Sequence, residues 1–107
     1  HMITVTIHRS NDSYAGFKVV GHAGYAEEGY DIICAAVSVL VVNAVNSIET
    51  FTDDKFAARE DHGIVELILE GSVSDKTTLL LDSMILGLRD IQTQYGNEFI
   101  RLKIEEV

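Results

Sequence analysis

The chain has 107 residues, with eight Lys and Arg against seventeen Asp and Glu and a formal net charge of -9. That length holds one domain, residues 1–107, and with 47% of residues apolar it can bury a core without disulfides or metals. The acidic balance weighs against direct nucleic-acid binding, which needs basic side chains to neutralise phosphates, and suits either a basic partner or plain solubility.

Cys34 is the single cysteine, which excludes an internal disulfide and fits a reducing compartment. Residues 2–20 alternate polar and apolar and lack the hydrophobic run of a signal peptide. The longest apolar stretch, from Ile32 to Val45, is interrupted by Ser38 and Asn43 and is shorter than the ~20 residues of a bilayer span. The expectation is a soluble cytoplasmic protein with no membrane association. His1-Met2 reads as a tag-cleavage scar ahead of a start at Met2.

In chain order, "MITVTIHRS" sets Ile3, Val5 and Ile7 on one side and Thr4, Thr6 and His8 on the other, the pattern of a half-buried strand. Asn11-Asp12-Ser13 is a turn signal, and "AGFKVVGHA" returns as the second hairpin strand, with Phe17 and Val19 apolar. The glycine-bearing segment 23–30 reads as a loop. From Asp31 to Phe51 there is no glycine or proline, and apolar residues recur at Ile33, Ala36, Val37, Leu40, Val41, Ala44, Val45 and Ile48, a helical spacing. The β-branched run "VSVLVVNAV" prefers strands, but so long a segment without a turn signal exceeds a strand. Val39 and Val42 widen the apolar surface, which predicts either a deep central helix or a subunit interface.

"KFAARED" is the third strand, His62-Gly63 a turn, and "IVELILE" the fourth strand, alternating Val65, Leu67 and Leu69 with glutamates. Ser74 or Asp75 caps a second helix with an apolar stripe of Leu80, Met84, Leu88, Ile91 and Tyr95, and Gly96-Asn97 ends it. "FIRLKIEE" closes the chain as a strand with Ile100, Leu102 and Ile104 inward. The order ββαββαβ predicts an α+β two-layer sandwich, with two helices packed on one face of a mixed or antiparallel sheet.

The chemistry-bearing stretch is "GHAGYAEEGYDIICAAVS", residues 21–38. Asp31 is a good N-cap, which would put Cys34 in the first helical turn, where unpaired amides and the helix dipole favour a thiolate. His22 falls where the chain leaves the preceding strand, and that strand, if packed beside the helix N-terminus, would bring it into reach as the base of a thiol nucleophile. Gly24 and Gly29 would let the 23–30 loop fold over a bound segment, and Tyr25 and Tyr30 offer apolar surface with a polar tip. The amides of Ile33, Cys34 and Ala35 are candidate oxyanion donors. The same residues also describe a packed structural thiol, a coincidental histidine and two tyrosines covering the core edge. His8 and His62 are alternative bases, and no residues have zinc-ligand spacing.

"GHA", a glycine-containing loop and then "GYDIICAAVS" together resemble the Prp family of bacterial ribosomal-processing cysteine proteases, over essentially the whole chain. The resemblance implies a homodimeric endopeptidase, needing no cofactor, that trims an N-terminal extension from a basic protein of the large ribosomal subunit. It makes Cys34 the nucleophile, His22 the general base and the 23–30 loop a gate over the peptide. Asp31 and Ser38 also match the motif, Asp31 as a cap or orienter and Ser38 as support of the same wall. Beside it stand a peptide- or ribosomal-protein-binding module with a structural Cys34, and a redox-sensing thiol.

Overall fold

A computed structural model describes residues 2–21 and 28–107, the side chains of 28–31 excepted. Its elements are β1 (Ile3–Ser10), β2 (Ser13–Val20), α1 (Glu28–Phe51), β3 (Lys55–Asp61), β4 (Ile64–Glu70), α2 (Asp75–Tyr95) and β5 (Ile100–Glu106). The expected ββαββαβ order is what is observed. The sheet runs β3-β4-β2-β1-β5 and is mixed: β1 and β5 pair in parallel, all other neighbours antiparallel.

Register puts the alternating apolar residues on one face. Val5 opposes Val19, Ile7 opposes Phe17, Phe17 opposes Leu67, and Ile3 opposes Ile100. All are buried and join one core cluster with Ile33, Val37, Val41, Ala44 and Ile48 of α1 and Leu81, Met84 and Leu88 of α2. Burying each large aliphatic there contributes roughly 1.5–3 kcal/mol, which outweighs the poor helix propensity of the valines in α1. The tight helix–helix approach is set by Gly87: a Cβ there would sit 2.9 Å from the Leu40 methyls.

Hairpin β1–β2 turns at Asn11-Asp12, both in the left-handed region (φ 51 and 64), and His62-Gly63 does the same for β3–β4 (φ 46 and 80). Ser74 caps α2: its Oγ accepts from the Thr77 amide at 3.3 Å, while its own N–H and O–H donate to Asp54 at 2.9 and 2.8 Å. Gly96 (φ 88) ends α2, its N–H donating to the Gln92 carbonyl at 2.9 Å.

Several expectations are corrected. β2 begins at Ser13 and stops at Val20, and one extra residue bulges opposite His8 and Arg9: Gly16 pairs with His8 and Tyr14 with Arg9. The bulge reverses the side-chain alternation, so Tyr14 shares the buried face with Phe17. Gly16 (φ 150) is obligatory there, since a Cβ would lie 2.1 Å from the Leu67 carbonyl oxygen. In α2, Leu81 takes a core position and Tyr95 is 48% exposed, and on edge strand β5 Ile104 is 53% exposed. Helix α1 starts at Glu28, not Asp31, and it is not buried on all sides: Ile32, Val39 and Val42 are exposed. Ile32–Phe51 is by length and mean hydropathy (1.9) apolar enough to cross a bilayer, unlike the shorter stretch seen in sequence, yet its core-facing stripe is used to cover the sheet.

Tyr14 donates a hydrogen bond to Asp82 on α2, with the Arg9 guanidinium 4.8 Å above its ring. Burial, then the bond to Asp82, pushes its phenol from near 10 up to about 12. The unfolded chain releases this proton first, so the contribution is intact below pH 10 and is lost as pH rises towards 12. Urea unfolding across that window should show falling stability in the wild type. In Tyr14→Phe the alkaline fall should be smaller, with a cost of about 1–2 kcal/mol at neutral pH. Gly16→Ala should lower stability by about 3 kcal/mol or more in the same assay.

Candidate active site

Cys34 sits next to Ile33, the first core residue of α1, and its half-buried side chain packs against the core cluster from the rim. Helical periodicity explains the position. Ile33, Val37, Val41, Ala44 and Ile48 form the buried stripe, and Cys34 falls about 100° around the helix from Ile33. Ser38 lies one turn further on along the same flank, as expected from sequence.

The first-turn geometry expected from sequence does not hold. With α1 starting at Glu28, Asp31 lies inside the helix rather than capping it, and Cys34 is in the second turn. The amides of Ile33, Cys34 and Ala35 are directed at carbonyls four residues back, so they are committed to the helix and are not free oxyanion donors. The physical reason is that the helix extends through Gly29 and Tyr30, which sequence had assigned to a loop. The unpaired donors of α1 belong to its first turn, at about residues 28–31.

His22, Gly24 and Tyr25 lie outside the described residues, as do the side chains of Tyr30 and Asp31. What precedes His22 is defined. Gly21 has φ 93 and donates its N–H to the Gly63 carbonyl at 3.1 Å, and a Cβ on it would lie 2.7 Å from the Met2 carbonyl oxygen. Gly21 thus sets the direction in which the chain leaves β2 immediately before His22. Gly21 is not among the residues expected at the site; a glycine at a strand end just before the candidate base is the signal that marks it. Of the alternative bases, His62 is exposed in the β3–β4 turn, 3.1 Å from Asp61, and His8 is on the sheet face opposite the core. Among the described residues no group of His, Cys, Asp and Glu is placed to hold a metal.

A second feature was not foreseen. The helices cover β4 but leave the second half of β3 open: Leu67 and Val65 are buried and Phe56 packs against the core, whereas the β3 residues Ala58 and Glu60 are exposed on the same face. The result is a groove of about 280 Å³ lined by Val42, Val45 and Asn46 of α1, Ala58, Arg59 and Glu60 of β3, and Val65.

The family model described as cysteine protease Prp matches residues 2–100. The ribosomal processing cysteine protease Prp of Bacillus subtilis is 34% identical over 101 residues, covering 88% of this chain and 90% of its own. That of Staphylococcus aureus is 32% identical over 104 residues, covering 94% and 97%. The crystal structure of the S. aureus protease in complex with a substrate peptide superposes with a TM-score of 0.89 at 30% identity, over 97% of this chain and all (100%) of that one. A structure of the same protease with a covalently linked product peptide gives 0.85 at 31% identity, with coverage of 97% and 100%. The match extends over the whole sheet and both helices, and the chain belongs to the cysteine protease Prp family of ribosomal-processing enzymes.

Proposed function

We propose that this protein is an endopeptidase that removes the N-terminal extension of a large-subunit ribosomal protein, using Cys34 as nucleophile and His22 as general base and acid. The observation that carries the reading is the place of Cys34: an accessible thiol on the rim of the core, in a chain that superposes on a Prp protease holding a substrate peptide.

The chemistry runs in two halves. His22 accepts the thiol proton and the Cys34 sulfur attacks the scissile carbonyl carbon, forming a C–S bond and an oxyanion. The C–N bond then breaks, and the proton on His22 passes to the leaving amine. Water, giving a proton to His22, attacks the thioester carbon; the C–S bond breaks, His22 returns the proton to the sulfur, and the new carboxylic acid departs as carboxylate. A covalently linked product peptide in the S. aureus relative supports an acyl-enzyme course. Because Cys34 lies in the second helical turn, the helix dipole is attenuated there and the histidine carries the activation.

The net charge of -9 suits a basic ribosomal-protein substrate in the cytoplasm and disfavours nucleic acid. A homodimer is part of the same reading, supported by the exposed Ile32 and Val39 on the solvent side of α1. The rival binding-module reading draws on one fact, that Cys34 packs against the core.

Mass spectrometry of an N-terminally extended ribosomal protein decides between them. The wild type should release the extension, and Cys34→Ala should not, with thermal stability nearly unchanged because alanine suits a helix. His22→Ala should cut the rate by roughly 10²–10⁴-fold. Wild-type binding without cleavage would instead establish the binding module. Gly21→Ala should lose much of kcat and some stability, since a Cβ there displaces the Met2 backbone and re-aims His22. A Gly21→Ala protein with unchanged kcat would show that this exit angle is irrelevant.

A further inference from the structure

The groove between α1 and β3 lies on the same flank of α1 as Cys34. Cys34 and Val45, three turns apart, lie within about 20° of each other around α1, and Val42 and Ser38 fall on the same flank. Val42 and Asn46 line both this groove and a shallower depression that contains Ser38 and Val39. One side of α1 therefore leads from the thiol to the groove, with Val42 about 12 Å further along the helix axis than Cys34.

The other wall is a free sheet edge. β3 is the terminal strand, so alternate residues from Lys55 to Asp61 turn backbone N–H and C=O groups away from β4, and among the described residues no strand pairs with them. An edge of this kind accepts an extended peptide as an additional strand. The small side chain of Ala58, between the valines and Glu60, leaves room for one large apolar side chain. Arg59 is paired with Glu66 at 2.9 Å, and Glu60 is the charge left at the rim, which complements a basic segment.

We propose that the substrate polypeptide, running away from the bond cut at Cys34, lies along the edge of β3 as an added strand and seats one large apolar side chain in the groove formed by Val42, Val45, Ala58 and Val65. The proposal rests on the protease reading above and deepens it by naming a specificity site. An extended chain advances ~3.3 Å per residue, so the seated side chain is about three to five residues from the cut.

The test is a set of peptides spanning the cleaved bond, each with leucine or alanine at one position, measured as kcat/KM. The wild type should prefer the large apolar residue by about tenfold at one position three to five residues from the cut. Ala58→Leu, which fills the groove, should bring that preference close to unity, chiefly through KM; Val42→Phe on the helix wall is the second groove-filling variant. Equal rates of Cys34 alkylation by iodoacetamide in variant and wild type would locate the loss in binding rather than in the thiol's environment. Methylating alternate backbone amides of the peptide should weaken binding with a period of two. Three results would overturn the proposal: a cleaving wild type with no preference in that window, a preference that both variants retain, or a changed oligomeric mass in the variants with cleavage preferences intact, which would assign the groove to a second copy. No cleavage by the wild type of either the peptides or the extended protein would remove the protease reading itself, and the proposal with it.

Discussion

The burial of one stripe of α1 against the sheet is the constraint from which the rest follows. Ile33, Val37, Val41, Ala44 and Ile48 occupy a common face at helical spacing, and all join one buried cluster with apolar residues of β1, β2 and β4. Once that face is committed, the rotation of the helix is settled, and Cys34, one residue beyond Ile33, can only fall at the boundary between core and solvent. A thiol there is held by packing yet open to a reactant. The same rotation turns Val42 and Val45 towards β3 and leaves Val39 facing outward.

Backbone geometry does the complementary work on the strands. The bulge at Gly16 reverses the side-chain alternation of β2 and brings Tyr14 onto the buried face, where its hydroxyl reaches Asp82 and ties the hairpin to α2. At the other end of β2, Gly21 holds a left-handed conformation against the Met2 carbonyl and fastens to the β3–β4 turn through Gly63. These two glycines flank Phe17–Val20, the end of the strand that delivers the chain to His22. Neither can accept a side chain without moving a backbone carbonyl, so the approach to the candidate base is set by steric exclusion.

The layer of helices is narrower than the sheet. Two helices cover β1, β2 and β4, and the edge strand β3 projects beyond them with Ala58 and Glu60 bare on the side that would otherwise be core. In a protein that only needed to fold, such a ledge is a liability, because free strand edges invite aggregation. In a peptidase it is a place to hold an extended chain, and here it is recessed beside the flank of α1 that carries the thiol.

Residue pattern by itself determined the element order, the two-layer architecture, both hairpin turns, the strand bounds of β3 and β4, and a cap for α2 at Ser74 or Asp75, of which the structure shows Ser74. Each depends on local signals: period-two alternation, helical periodicity, or turn residues that tolerate positive φ. It also singled out Cys34, the one thiol, and the motif that points to His22. Tertiary structure decided what local pattern cannot carry. The start of α1 at Glu28 absorbed Gly29, Tyr30 and Asp31 into the helix, overriding the propensities of glycine and of a capping aspartate. The exposure of Ile104 and Tyr95 follows from sheet order and helix length, since an edge strand and a last turn have no neighbour to cover them. The groove exists because residues distant in sequence, Val42 and Ala58, are brought to one side of a helix that does not reach the sheet's edge. Side-chain alternation says which face a residue takes; only packing says whether anything lies over it.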